Sequence, residues 1–301
     1  MNSNAGDENW RYALIGWSWR MAVLFLPARW FQPDLPETAQ RAARTGSLHL
    51  EIVSHCWNYA HLLAYQLSSL VQHPPQCLRV TMTIYYCPED QGTQQLLDYI
   101  SAQQVSNVHW NWQALPRERL LRRAIGRNHA ARNTRADWIW FTDCDVIFPA
   151  GCLDGFNAAA QGCQEALVHP KRERMSAMLP DTAAVLQAAA GTPRLVAPEG
   201  IEFADNPLRK ATGPMQIAHG DVARACGYCE VIGHYQQPSA RWRKTCEDPA
   251  FRWLLRSNGR GLEMPPPLRI RHISKGRYTR GHWSTWSRSG IRRTKSRLLG
   301  K

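Results

Sequence analysis

Two carboxylates one residue apart, Asp143 and Asp145, close the apolar, aromatic run Trp138-Ile139-Trp140-Phe141-Thr142. Side chains at i and i+2 of an extended chain point to one side, so the pair can face a single point beyond the strand that the run predicts. Carboxylates that close repel each other unless a cation or a proton stands between them. Hard oxygen ligands suit Mg²⁺ or Mn²⁺, which complete their shells with water and substrate phosphate. The plainer alternative is a strand that ends in a polar turn. A second possible ligand group, Cys226-x-x-Cys229 with His234 and Cys246 nearby, has zinc-like residue types but lacks a second pair at regular spacing.

The elements needed to hold the aspartates follow from periodicity. Leu48 to Ser54 reads as a strand, and Tyr59, Leu62, Leu63, Gln66, Leu67, Leu70 and Val71 then repeat at helical spacing. Val80, Met82, Ile84 and Tyr86 alternate as a second strand that ends in Cys87-Pro88-Glu89-Asp90-Gln91-Gly92-Thr93. A helix over Gln94 to Gln104, a strand over Val108 to Trp112 and one long basic helix over Arg117 to Asn133 lead into the aspartate-tipped strand. Alternation of this kind predicts a doubly wound α/β sheet with parallel strands and right-handed crossovers. Ligands of such sheets sit beyond the carboxyl ends of the strands, where Ser54, Glu89, Asp90, Asp143 and Asp145 fall. Further on, Ala166 to His169 is a strand candidate, and Thr192 to Gly213 is proline-rich and reads as an irregular substrate-side loop. Glu247-Asp248 opens a helix with Pro249 in its first turn, stopped by Asn258-Gly259. Arg269 to Ile273 is a late strand.

Apolar content of 44% against 20% charge fits a globular chain and excludes wholesale disorder. The net charge is +13, yet Leu268 to Lys301 holds eleven Lys and Arg and no acid, so removing that stretch leaves +2. The excess is a basic tail, which implies an anionic partner such as phospholipid, nucleic acid or a phosphorylated substrate. Trp10 to Phe31 is densely apolar and rich in tryptophan, with Arg20 in its middle. A central arginine costs a membrane span roughly 2.5–3.5 kcal/mol. The segment therefore reads as a helix packed on the body, an interfacial anchor, or a span. Nine cysteines without regular spacing, and no secretory leader pattern, predict a reducing cytoplasmic setting. Three regions are expected: residues 1–45 as an apolar segment and linker, 46–276 as the α/β domain, and 277–301 as the basic tail.

With these residues in view, the chain from about Leu48 to His272 resembles the family 2 nucleotide-sugar glycosyltransferases of GT-A fold. Four blocks carry the resemblance in order. They are the strand ending near Ser54; Glu89-Asp90 followed by Gly92-Thr93; Gly126-Arg127-Asn128, fifteen residues before Asp143; and Gly227-Tyr228-Cys229-Glu230 with Trp242 and Cys246-Glu247-Asp248-Pro249-Ala250-Phe251-Arg252. The turn after the second strand departs from the family's Asp-Asp-Gly-Ser, and Ala130 replaces a common glycine. The resemblance implies a GT-A-type doubly wound mixed sheet, mainly parallel, with helices on both faces. It also implies inverting, divalent-metal-dependent sugar transfer from a nucleotide sugar, first among them a UDP-sugar, to a glycan or lipid-linked hydroxyl. Asp143, Asp145 and His272 are then expected to hold Mn²⁺ or Mg²⁺. Ser54, Glu89, Asp90, Arg127, Asn128 and Asp143 would contact the donor, and Trp242 and Glu230 the acceptor. Asp248, with Glu247 beside it, would be the general base. For each role there is a plainer alternative: a solvated helix face at Arg127 and Asn128, a helix start favoured by the dipole at Glu247-Asp248, and an exposed histidine at His272.

Two competing functions are weighed. A sugar nucleotidyltransferase needs a glycine-rich basic loop after the first strand, and Ser54-His55-Cys56-Trp57-Asn58 has no glycine. A non-catalytic polyanion- or membrane-binding module would use Tyr278, Trp283 and Trp286 among the tail arginines, but leaves the paired carboxylates unexplained. Nucleic acid is the less favoured partner, and the tail is read as an added property that rests the enzyme on the inner membrane face.

Overall fold

The computed structural model describes residues 4–242 and 245–273. The basic tail 277–301, with the contacts expected of it, lies outside the described residues. Helix α1 (Asn4–Phe25) comes first, and the alternation begins at β1 (His49–Cys56). It continues through α2 (Ala60–Gln72), β2 (Arg79–Tyr86), α3 (Gln91–Ser101), β3 (Val108–Ala114), α4 (Arg117–Leu120), α5 (Arg123–Asn133) and β4 (Trp138–Phe141). β1 runs parallel to both β2 and β4, and β2 runs parallel to β3.

Successive side chains of a strand point to opposite faces, and both faces here are apolar. Leu50 and Ile52 of β1 pack with Leu63 and Leu67 of α2 and Leu97 of α3. Val53, Ile139 and Phe141 face the other way, toward Ala124 and Ala130 of α5. Strands covered on both sides read as near-continuous apolar runs, which is why Trp138 to Phe141 are all buried.

The second half is less regular. It comprises β5 (Val146–Ile147), α6 (Cys152–Ala159), β6 (Leu167–Pro170), β7 (Arg172–Leu179), α7 (Ala184–Ala188), β8 (Phe203–Pro207), β9 (Gln216–His219), α8 (Gly220–Cys226), α9 (Glu247–Leu254), β10 (Arg260–Leu262) and β11 (Leu268–His272). The larger sheet has seven strands in the order β10-β6-β9-β4-β1-β2-β3, with β9 antiparallel to its neighbours β4 and β6. It is an α/β sheet of the mixed, mainly parallel kind that the resemblance implies, with helices on both faces, and its parallel strands β1 to β4 are those the alternation predicts.

Three expectations need correction. A second sheet exists, with four strands in the order β5-β11-β7-β8. It takes in β8, from the stretch read as an irregular loop. Its β7–β8 pair carries charge: Glu173 of β7 accepts from Asn206 of β8 at 2.9 Å, and Arg174 lies 3.5 Å from Asp205. The long helix over 117–133 is two helices, broken at Leu121-Arg122. Arg122 leaves helical geometry (φ −107°, ψ 84°) and its buried guanidinium donates to Gln237 O at 3.2 Å. That bond reaches the loop that leads to Trp242, and no glycine or proline marks the break.

Helix α1 packs one side on the body. Trp19 and Val23 lie against the second core, and Trp253 Nε1 of α9 donates to Leu26 O at 2.9 Å. Among the described residues no helix is long and apolar enough to cross a membrane.

Candidate active site

The aspartate turn is the passage from one sheet to the other. Asp143 leaves the end of β4 in the large sheet, and Asp145 enters β5 in the small one, where its carbonyl accepts from Ile270 N of β11 at 2.9 Å. Buried Gln66 of α2 fixes the turn by donating to both Asp143 O and Val146 O at 3.0 Å. Gln66 is itself held by the Ser54 hydroxyl, which donates to its Oε1 at 2.7 Å. Ser54, expected to touch donor, therefore lies buried beneath the turn and positions it.

Around the turn opens a cleft with about 550 Å³ of empty space. Asp143, Asp145, His272, Trp242, Arg123 and His55 line it, with Trp57, Tyr59 and Leu121 among its apolar wall. Because β11 pairs with β5, His272 comes to 4.0 Å from Asp145, Nε2 to Oδ2. Two ligands about 2.1 Å from one octahedral ion lie roughly 3 Å apart when adjacent and about 4.2 Å when opposite; at 4.0 Å this carboxylate–imidazole pair is close enough to share one cation of the Mn²⁺ or Mg²⁺ kind, at an angle between those two. No group of three His, Cys, Asp or Glu side chains among the described residues is arranged to hold a metal. That applies to the expected third ligand Asp143 and equally to the Cys226, Cys229, His234, Cys246 group.

Asp143 turns instead to two arginines one helical turn apart on α5. Arg123 Nη1 donates to Asp143 Oδ1, and Arg127 Nη2 lies 3.6 Å from the same oxygen. Arg123 also reaches Glu247 at 3.3 Å and stands 4.0 Å from Asp248 Oδ2. Arg127 is fully buried, with its guanidinium over the Tyr228 ring at 5.2 Å, and it donates to Tyr228 Oη at 2.8 Å and to Asp248 Oδ1 at 2.9 Å. Burial opposes both arginine charges, but Asp143, Glu247 and Asp248 around Arg123, and Tyr228, Asp248 and Glu247 around Arg127, outweigh it and hold the guanidinium groups protonated. Burial also raises the Tyr228 phenol well above its ordinary pKa. It stays protonated and donates to Asp248 Oδ1 at 3.1 Å, where Gln216 Nε2 donates as well at 3.3 Å. One oxygen of Asp248 is thus held by three donors, and its side chain remains a quarter exposed. Glu247, at 2% exposure, is buried between Arg123 and the Thr245 hydroxyl.

The remaining sequence candidates lie elsewhere. Asp90 caps α3 by accepting from Thr93 N and holds Asn58 N at 2.6 Å. It thereby fixes Asn58 in a left-handed conformation (φ 57°) just after β1. Glu89 is exposed and does not line the cleft. Asn128 Oδ1 accepts from Tyr228 N at 2.8 Å. The contact needs Gly227, at φ 64°, where a Cβ would lie 2.2 Å from that oxygen. Glu230 pairs with Arg132 at the far end of α5 and also does not line the cleft.

Sequence reasoning missed Arg123, His55 and Gln66. Arg123 precedes Arg127 by four residues, the spacing that puts two side chains on one helix face, so a signal was present. His55 is the penultimate residue of β1, its ring stacked on Tyr85 at 5.0 Å and both ring nitrogens buried. Burial, with Arg127 and Arg123 nearby, holds its pKa well below 6.5, so the imidazole is neutral.

No protein-family profile and no curated protein matches the chain. Among solved structures the chain is similar to S. aureus TarS 1-349, at 14% identity and a TM-score of 0.42, with 75% of this chain and 61% of that one covered. It is similar to the mannosyltransferase PcManGT from Pyrobaculum calidifontis in complex with GDP-Man and Mn²⁺, at 13% identity and a TM-score of 0.42, with 94% and 76% covered. Likeness at this level does not speak for chemistry, which rests on the residues themselves.

Proposed function

We propose that the protein is a glycosyltransferase that moves a sugar from a nucleotide-sugar donor to an acceptor hydroxyl with inversion, aided by Mn²⁺ or Mg²⁺. The observation that carries this reading is an Asp145–His272 pair on a cleft beyond the strand ends, whose lining residues Arg123 and Asp143 join it to a charge network that ends on a partly exposed Asp248 behind the cleft wall. Asp145 and His272 would hold the cation, which when bound supplies Lewis-acid neutralisation of the charge on the departing diphosphate. Arg123 lines the same cleft and can meet donor phosphate with the fork geometry that suits it.

Asp248 takes the proton of the acceptor hydroxyl as that oxygen attacks the anomeric carbon. Its Oδ1 is engaged by Arg127, Tyr228 and Gln216, so Oδ2 is the oxygen that receives the proton. Arg127 positions the base and does not touch substrate. Trp242, on the cleft wall, is suited to stack on a sugar ring. The acceptor class proposed is a glycan or lipid-linked hydroxyl, and the donor a UDP-sugar first.

The test is a donor panel with Mn²⁺ and with Mg²⁺, read by calorimetry and by release of nucleoside diphosphate. Asp145→Asn is expected to abolish metal-dependent donor binding. Asp248→Asn is expected to keep donor affinity while transfer falls by about 10²–10⁴-fold, the usual worth of a general base. An Asp145→Asn protein that binds donor and Mn²⁺ like the parent would refute the ion site. An Asp248→Asn protein with near-normal turnover would move the base elsewhere.

A further inference from the structure

Nine large apolar side chains are exposed among the described residues, and eight of them lie between Trp10 and Trp30: Trp10, Leu14, Ile15, Trp17, Leu24, Phe25, Leu26 and Trp30. Most of them share one side of α1. At about 100° per residue, Trp10, Leu14, Trp17, Met21, Leu24 and Phe25 fall within an arc of about 100°. Trp19 and Val23 fall on the opposite side and meet the body. α1 therefore presents an apolar outer face in addition to the side that meets the body.

We infer that the outer face of α1 is a membrane-docking surface whose occupant is an anionic phospholipid bilayer. Three observations select a bilayer surface over a second protein. The exposed set includes three tryptophans, Trp10 at 50%, Trp17 at 58% and Trp30 at 66%, the side chain enriched where headgroups meet hydrocarbon. Exposed Arg20 borders the apolar arc and Arg29 follows it, as cations do that keep their charge at the headgroup while the stem packs below. The sequence carries +13 overall, with eleven cations and no acid from Leu268 to Lys301, which complements an anionic surface. Because no described helix can cross a membrane, α1 lies along the surface.

The consequence for the enzyme is geometric. The end of α1 is fastened to α9, which carries Glu247 and Asp248: Trp253 donates to Leu26 O at 2.9 Å, and the Phe31 and Trp253 rings are 5.2 Å apart. Asp248 sits five residues before Trp253, about 8 Å along the helix. A bilayer seated on α1 would thus lie close to the helix that carries the candidate base, where a lipid-linked acceptor could reach it. This last step rests on the proposed function; the docking surface does not.

The experiment uses the full chain with vesicles of phosphatidylcholine alone and of phosphatidylcholine with phosphatidylserine, read by co-sedimentation and by tryptophan emission. Binding is expected with the anionic vesicles and is expected to weaken as salt rises. The combined substitution Trp10→Ser, Leu14→Ser, Trp17→Ser is expected to lower vesicle partition at least tenfold, with an unchanged circular dichroism spectrum. Val231→Ser, which removes the ninth exposed large apolar group among the described residues, is expected to bind like the parent. A parent that stays in the supernatant at low salt overturns the inference. So does a triple variant that binds like the parent, since other cationic regions then account for attachment. A parent that is dimeric in solution, and that the triple variant makes monomeric, assigns the face to a second copy and overturns it as well. Donor hydrolysis by the triple variant with soluble donor should equal that of the parent, so loss of docking and failure of the proposed activity are read separately.

Discussion

Removing Arg123 tests the charge network most directly. Its guanidinium serves Glu247 at 3.3 Å and Asp143, with Asp248 Oδ2 at 4.0 Å. The arms differ in worth. Glu247 is 2% exposed and Asp143 34%, so water can replace the cation at Asp143 but not at Glu247. Taking one partner from a buried pair costs about 3–5 kcal/mol, and an exposed pair about 0–1. Arg123 is itself about a fifth exposed, which moves the expected loss for Arg123→Met to about 2–4 kcal/mol by the same reasoning. Glu247→Gln in that background removes the stranded charge, so the double variant should be more stable than the sum of the single losses predicts, by about 1–3 kcal/mol. Urea unfolding of the four proteins gives the cycle. The reasoning is refuted if Arg123→Met costs less than about 1 kcal/mol, or if the two losses simply add.

Two further expectations concern His55. Its pKa is depressed by burial, so the unfolded chain takes up a proton near the ordinary value of 6.5 that the folded chain refuses. Stability should then fall as pH drops below 6.5, by up to about 1.4 kcal/mol per pH unit for this residue. His49, His61, His169 and His219 shift the same way, while buried Glu51 and Glu173, raised by burial, act in the opposite sense. The readout is therefore the difference between the parent and His55→Asn in urea midpoints across about pH 5.5–7.5; equal pH slopes would sink the idea. Gly126→Ala places a methyl 2.3 Å from His55 Nε2 and 3.0 Å from the Tyr85 ring. It should destabilise by about 1–3 kcal/mol despite alanine's better helix propensity. His55→Ala should restore most of that loss, and an unaffected midpoint in the single variant would refute the contact.

The sequence by itself determined the alternating half of the fold and the aspartate turn. Trp138 to Phe141 sit where both faces of a parallel sheet are covered, and such strands write themselves as unbroken apolar runs. Asp143, Asp145, His272 and Trp242 were legible as candidates because their types carry chemistry and their places follow strand ends or a helix start. The tertiary structure decided what each side chain answers to. Ser54, Asp90 and Asn128 are polar residues at the right ends of their elements, yet their atoms are spent on Gln66, Asn58 and Tyr228. The β7–β8 pair of the second sheet escaped the sequence because those strands trade charges across the pairing, whereas β11 was legible as a late strand. The sequence could place Arg123 on one helix face with Arg127, but its role needs α9 to bring Glu247 and Asp248 across from more than a hundred positions away. The outer face of α1 was obscured for the opposite reason, since a helix apolar on both sides shows no period until one side is seen to be covered.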